Sequence, residues 1–206
     1  MDISWLIKAR TRAPNALRVL YRAANAFRPV PGSVEIPDSL LHGCKCVSSR
    51  IALISELTVN GCVAELGTFK GDFAKNILLR SSPTELHLVD IDFSRLNPEI
   101  SSDPRVVRHL GFTKDALTKF EDEYFDWIYV DADHSYEGTL RDAKLSAPKI
   151  HSGGFLVFND FAHLDTGYGR YGVHRAVSEF AVNMSWPLAF LAFSPDGLYD
   201  VALRKP

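Results

Sequence analysis

The chain lacks any apolar run near the ~20 residues of a membrane span; its early stretch Ile3 to Ile7 is also too short for the apolar core of a secretory signal. No transmembrane segment is expected. Cysteine is scarce, at three residues (Cys44, Cys46, Cys62) in 206, which leaves no disulfide framework and points to reduced thiols in a cytoplasmic protein. Cys44-Lys-Cys46 has no second Cys/His pair at zinc-site spacing. Charge of one sign is also missing. The formal net charge of -2 offers no general attraction to nucleic acid. Internal repeats and low-complexity tracts are absent, and 206 residues suffice for a single core.

Two glycine signatures are absent as well. There is no Gly-x-Gly-x-x-Gly for a dinucleotide and no Gly-Lys-Ser/Thr for a triphosphate. In their place stands Glu65-Leu-Gly67-Thr68-Phe69-Lys-Gly71, between an apolar run at 62–66 and the helical pattern Asp72-Phe-Ala-Lys-Asn-Ile-Leu-Leu79. The glycines permit a tight turn and, on this reading, the approach of a ligand where a Cβ would clash. The helix start adds free N–H groups. Glu65 opposes a pyrophosphate and suits a cationic or hydroxyl-rich ligand. A second acid, Asp90, ends the next apolar run 25 residues later, where a carboxylate meets a ribose if the strands are neighbours.

Beyond this motif the pattern alternates. Strands are expected at 62–66, 85–90, 106–110, 127–130 and 154–158, with helices at 71–80, 114–120, 136–149 and 173–180 between and after them. Runs at 188–193 and 198–203 flank the turn Pro195-Asp-Gly197. A further helix is expected over 47–57. This predicts a Rossmann-like, doubly wound α/β sheet of seven strands, mostly parallel, with an antiparallel C-terminal hairpin strand. Residues 1–30 carry six basic residues against Asp2, about +5, which leaves about -7 for the rest. They read as a helical arm split at Pro14. Residues 1–40 are assigned to this arm, with dimer contact as one role, and 41–206 to the main domain.

The chemistry-bearing residues fall at predicted strand ends: Glu65, Asp90, Gly111-Phe112-Thr113, Asp131-Ala-Asp133-His134 and Asn159-Asp160. Ligands of open α/β sheets bind there. With Asp131-Ala-Asp-His-Ser-Tyr-Glu-Gly138 and Gly153-Gly154, the chain over roughly 45–206 resembles class I S-adenosylmethionine-dependent methyltransferases, in particular the small O-methyltransferase branch. The resemblance implies S-adenosyl-L-methionine as cofactor and a small-molecule hydroxyl as acceptor. It places Glu65, Gly67, Thr68, Phe69 and Gly71 at the methionine end and ribose, Asp90 at the ribose, and Ile91 among the cofactor-binding residues. Gly111, Phe112 and Thr113 would flank the adenine, and Asp131 would face the sulfonium. In catechol-type relatives a divalent cation sits where Asp131, Asn159 and Asp160 fall here, and Mg²⁺ suits such hard ligands. Without a cation, His134 is the candidate base. The segment Asp165–Gly172 reads as a substrate flap. Two alternatives stay open: a metal-independent N- or C-methyltransferase, and an inactive methyltransferase-like binding protein.

Overall fold

The computed structural model describes residues 32–165 and 169–206. The arm expected over 1–40 lies outside the described residues up to residue 31, and the flap lies outside them at 166–168.

A short helix α1 (Asp38–Leu41) leads into strand β1 (Lys45–Val47) and helix α2 (Arg50–Ile54). Then come β2 (Cys62–Leu66), α3 (Asp72–Arg80), β3 (Glu85–Asp90), α4 (Pro98–Ser101), β4 (Val106–Leu110), α5 (Thr113–Leu117) and β5 (Phe125–Val130). Helix α6 (Tyr136–Ser146), β6 (Ile150–Phe158), β7 (Leu164–Asp165), β8 (Gly169–Arg170), α7 (Val173–Met184), β9 (Leu188–Ala192) and β10 (Asp200–Arg204) complete the described chain.

Eight strands form one sheet in the order β1-β9-β10-β6-β5-β2-β3-β4. Only β10 runs against its neighbours, β6 and β9. The doubly wound architecture is as expected. The count is not: β1 is an eighth strand, parallel to β9, and its last residue, Val47, stands where the pattern predicts the first residue of a helix. Three residues, of which only Val47 is buried, are too few to display a period of two. The helix is confined to α2, started by the Ser49 hydroxyl, which accepts from the Ala52 N–H at 3.1 Å. The flap region is a separate two-stranded sheet of β7 and β8.

The central strands are buried on both faces, as parallel strands covered by helices must be. Alternation along β5 divides the core. Trp127 and Tyr129 pack with Phe73, Ile77, Leu53 and Ile54 from α3 and α2. Ile128 and Val130 pack with Ala143 of α6 and Val177 and Phe180 of α7. The sheet order reverses at β2, which pairs with β3 on one side and β5 on the other. A crevice opens beyond the carboxyl ends at such a reversal, and the turn after β2 lies there.

Candidate cofactor and acceptor site

The turn after β2 is held from three sides. The Gly67 N–H donates to the Val89 carbonyl at 2.8 Å, and the Asp131 N–H donates to the Leu66 carbonyl at 2.8 Å. The Asp90 carboxylate accepts from the N–H groups of Thr68 (2.9 Å) and Phe69 (2.8 Å) through one oxygen, and from Asp92 N–H (3.0 Å) through the other. Asp90 therefore shapes the turn itself, and keeps acceptor capacity on its second oxygen.

The glycines act differently from expectation. At Gly67, φ is +91° and a Cβ would stand 2.1 Å from the Asp131 carbonyl oxygen. The missing side chain makes room for the chain after β5, and the neighbour it spares is backbone rather than ligand. Gly71 caps α3 at φ +81°, where a Cβ would meet a Leu96 methyl at 2.8 Å. Gly71 does not line the cleft.

The cleft has a volume of about 720 Å³, within the range of small-ligand sites. Glu65, Gly67, Thr68, Phe69, Asp90, Ile91, Gly111, Phe112, Thr113 and Asp131 all line it, so most of the anticipated cofactor residues share one cavity. Phe69, Ile91 and Phe112 expose apolar surface there. Arg50 lines it too, its guanidinium 5.3 Å from the Phe73 ring centroid.

Acid dominates the floor. Glu65 is 1% exposed, and its Oε2 has no hydrogen-bond partner. Burial pushes its carboxyl well above the usual range, and Asp131 and Asp90 push the same way. Asp131 is also raised well above the usual range, by burial and then by Asp160 and Asp200. Burial lifts Asp200 to about 7, against the Tyr129 hydrogen bond and the Arg50 charge. These groups form a chain. The Tyr129 hydroxyl donates to Asp200 at 2.6 Å and lies 3.1 Å from Asn159 Oδ1, while Asn159 Nδ2 donates to Asp131 at 2.9 Å. Arg50 reaches Asn159 Oδ1 at 3.4 Å.

Asp131, Asn159, Asp160 and His134 are brought together, but off the cleft wall except for Asp131. His134 Nε2 is 3.5 Å from both Asp131 and Asp160, and its ring stacks on Tyr171 at a centroid distance of 4.5 Å. The arrangement does not fit a divalent cation. Asn159 turns its N–H toward Asp131 and its oxygen toward Tyr129 and Arg50, the reverse of what shared ligation needs. Arg50 sets a guanidinium charge beside these acids.

A cationic nucleoside cofactor does fit. Glu65 lines the cleft with a buried carboxyl whose Oε2 makes no hydrogen bond, apolar side chains stand where a base can lie, and Arg50 can meet a carboxylate. Sequence reasoning missed Arg50, Tyr129 and Asp200. Tyr129 reads as core, and Arg50 precedes the glycine motif. An aspartate opening an apolar strand (Asp200-Val-Ala-Leu203) was the one available signal.

Residues 64–161 match a family described as methyltransferase domain. No curated protein matches the chain significantly. Among solved structures, a Lactococcus lactis protein described provisionally as a hemolysin superposes with TM-score 0.59 at 20% identity, covering 74% of this chain and 82% of its own. N-methyltransferase NodS from Bradyrhizobium japonicum WM9 gives 0.57 at 16%, covering 76% and 93%. NodS in complex with S-adenosyl-L-homocysteine also gives 0.57, at 14%, covering 76% and 83%. At such identities the likeness is one of fold, and that fold is the Rossmann-like methyltransferase fold.

Proposed function

We propose that the chain is an S-adenosylmethionine-dependent methyltransferase acting on a small-molecule hydroxyl without a metal ion. The observation that carries this reading is the buried Glu65, its Oε2 unpartnered, in the cleft where the sheet order reverses. An acid cluster with raised proton affinity is what a sulfonium and an α-ammonium relieve. The match of residues 64–161 to methyltransferase domains and the complex of NodS with S-adenosylhomocysteine support the same cofactor.

In this reading Glu65 faces the methionine ammonium and Arg50 its carboxylate. Asp90 offers its second oxygen to the ribose, and Ile91 and Phe112 enclose the adenine. Asp131 borders the sulfonium. The bond between sulfur and methyl breaks as the acceptor oxygen forms its bond to the methyl carbon, leaving S-adenosylhomocysteine and a methyl ether. The acceptor proton passes to Asp131 and the His134 ring behind it. The donor is already activated, so alignment is the protein's main contribution.

Calorimetry tests this directly. Glu65 and Asp131 hold protons more tightly than ordinary carboxyls in the cleft. A cation favours their ionised forms, so S-adenosylmethionine binding should release protons, and affinity should rise with pH. S-adenosylhomocysteine, without the sulfonium charge, should release fewer. Glu65→Gln should weaken S-adenosylmethionine binding about tenfold or more, as expected for losing a charge-assisted contact. Equal proton release for the two ligands, or binding of NAD instead, overturns the reading.

A further inference from the structure

We propose a second site, a zinc-binding cluster of Cys62, Glu85 and His87, at the end of the sheet opposite the cofactor cleft. Cys62 opens β2 and Glu85 opens β3, and the two are direct partners in the parallel ladder. His87 lies two residues along β3 from Glu85, on the same face. One ligand atom from each of the three lies within 4.8 Å of the others. His87 Nε2 is 3.1 Å from Glu85 Oε2, and the Tyr124 hydroxyl is 2.9 Å from the same oxygen and 3.4 Å from His87 Nε2.

The donor set selects the ion. A thiolate, an imidazole and a carboxylate suit Zn²⁺ and disfavour Mg²⁺ and Ca²⁺, which want oxygen alone. Thiolate and carboxylate together balance a divalent charge, and water or Tyr124 completes a tetrahedron. The surroundings are those of a metal-binding histidine. His87 Nδ1 is 2.9 Å from His109 Nε2 on the neighbouring strand, a partner that can accept a hydrogen bond from Nδ1–H and leave the Nε2 lone pair toward Cys62 and Glu85. The His87 ring is buried, in T-shaped contact with Phe120, Tyr124 and Phe125. Glu85, half exposed, gives the ion a way in. An ion there would tie together the first residues of the two strands whose far ends carry Glu65 and Asp90. Its role is structural, independent of methyl transfer.

The test uses the full chain after dialysis against a chelator, with Co²⁺ as spectroscopic probe and Zn²⁺ as competitor. One equivalent of Co²⁺ should give tetrahedral d–d bands and a thiolate charge-transfer band, removed by Zn²⁺. The signal should vanish in Cys62→Ser and survive in the Cys44→Ser/Cys46→Ser double variant. Zn²⁺ should raise the Tm of the wild type but not of Cys62→Ser. Should Cys62→Ser fail to fold, Glu85→Gln decides, because its side chain is half exposed; about a tenfold loss of Co²⁺ affinity is expected. No charge-transfer band in the wild type, a band retained in Cys62→Ser, a band lost with Cys44 and Cys46, or unchanged affinity in Glu85→Gln would each overturn the proposal.

Discussion

Replacing Asp200 by asparagine should change how stability depends on pH. Asp200 is 2% exposed, and its carboxyl accepts from the Tyr129 hydroxyl at 2.6 Å. Burial raises it from an ordinary 3.8 to about 7. Well below pH 3.8 the group is protonated in folded and unfolded chains alike, and costs nothing. As pH rises toward 7, the unfolded chain ionises Asp200 while the folded chain keeps it neutral, so the fold loses stability over that window. A gap of about three pH units, at about 1.4 kcal/mol each, amounts to roughly 4 kcal/mol by pH 8. That is a large share of the ~5–15 kcal/mol that holds a domain. Asparagine keeps the shape and an oxygen for the Tyr129 hydroxyl, but does not titrate. Urea unfolding of both proteins from pH 4 to pH 8 should therefore show the variant gaining on the wild type by several kcal/mol, with the gain complete once Asp200 is ionised in the folded wild type. Parallel stability curves would show that Asp200 carries no such cost, and that Arg50 and Tyr129 fully compensate the buried charge.

Two other perturbations probe the turn and the proton path. Gly67→Ala should destabilise the fold by about 3 kcal/mol or more, because its Cβ would meet the backbone of Asp131; wild-type thermal stability combined with lost cofactor binding would restore the ligand-approach explanation. His134→Gln should lower turnover with a hydroxyl acceptor about 100-fold while leaving S-adenosylmethionine affinity within about twofold, and high pH should recover part of the rate. An undiminished rate across the pH range would remove His134 from the proton path and favour an acceptor that needs no base.

The glycine turn was legible because its constraints are local: an apolar strand, two glycines at positive φ and a helix start follow one another directly. The strand-end residues were legible because a doubly wound sheet puts the carboxyl ends of its parallel strands on one side, so Glu65, Asp90, Thr113 and Asp131 must share a rim whatever the loops do. Distance in sequence hid the rest. What a Cβ at Gly67 would strike belongs to Asp131, 64 residues later, and only the pairing of β2 with β5 brings it there. Tyr129 looks like core, and is core, yet its hydroxyl joins Asp200 to Asn159 because β10 enters the sheet beside β6. Asn159 makes the point most sharply. Its place at a strand end is written in the residue order, but whether it turns its oxygen or its N–H toward Asp131 depends on Tyr129 and Arg50, which approach from β5 and α2. That orientation separates a cation cage from a hydrogen-bonded acid cluster. The sequence pattern thus locates the site, while the character of the site comes from neighbours that only the sheet order assembles.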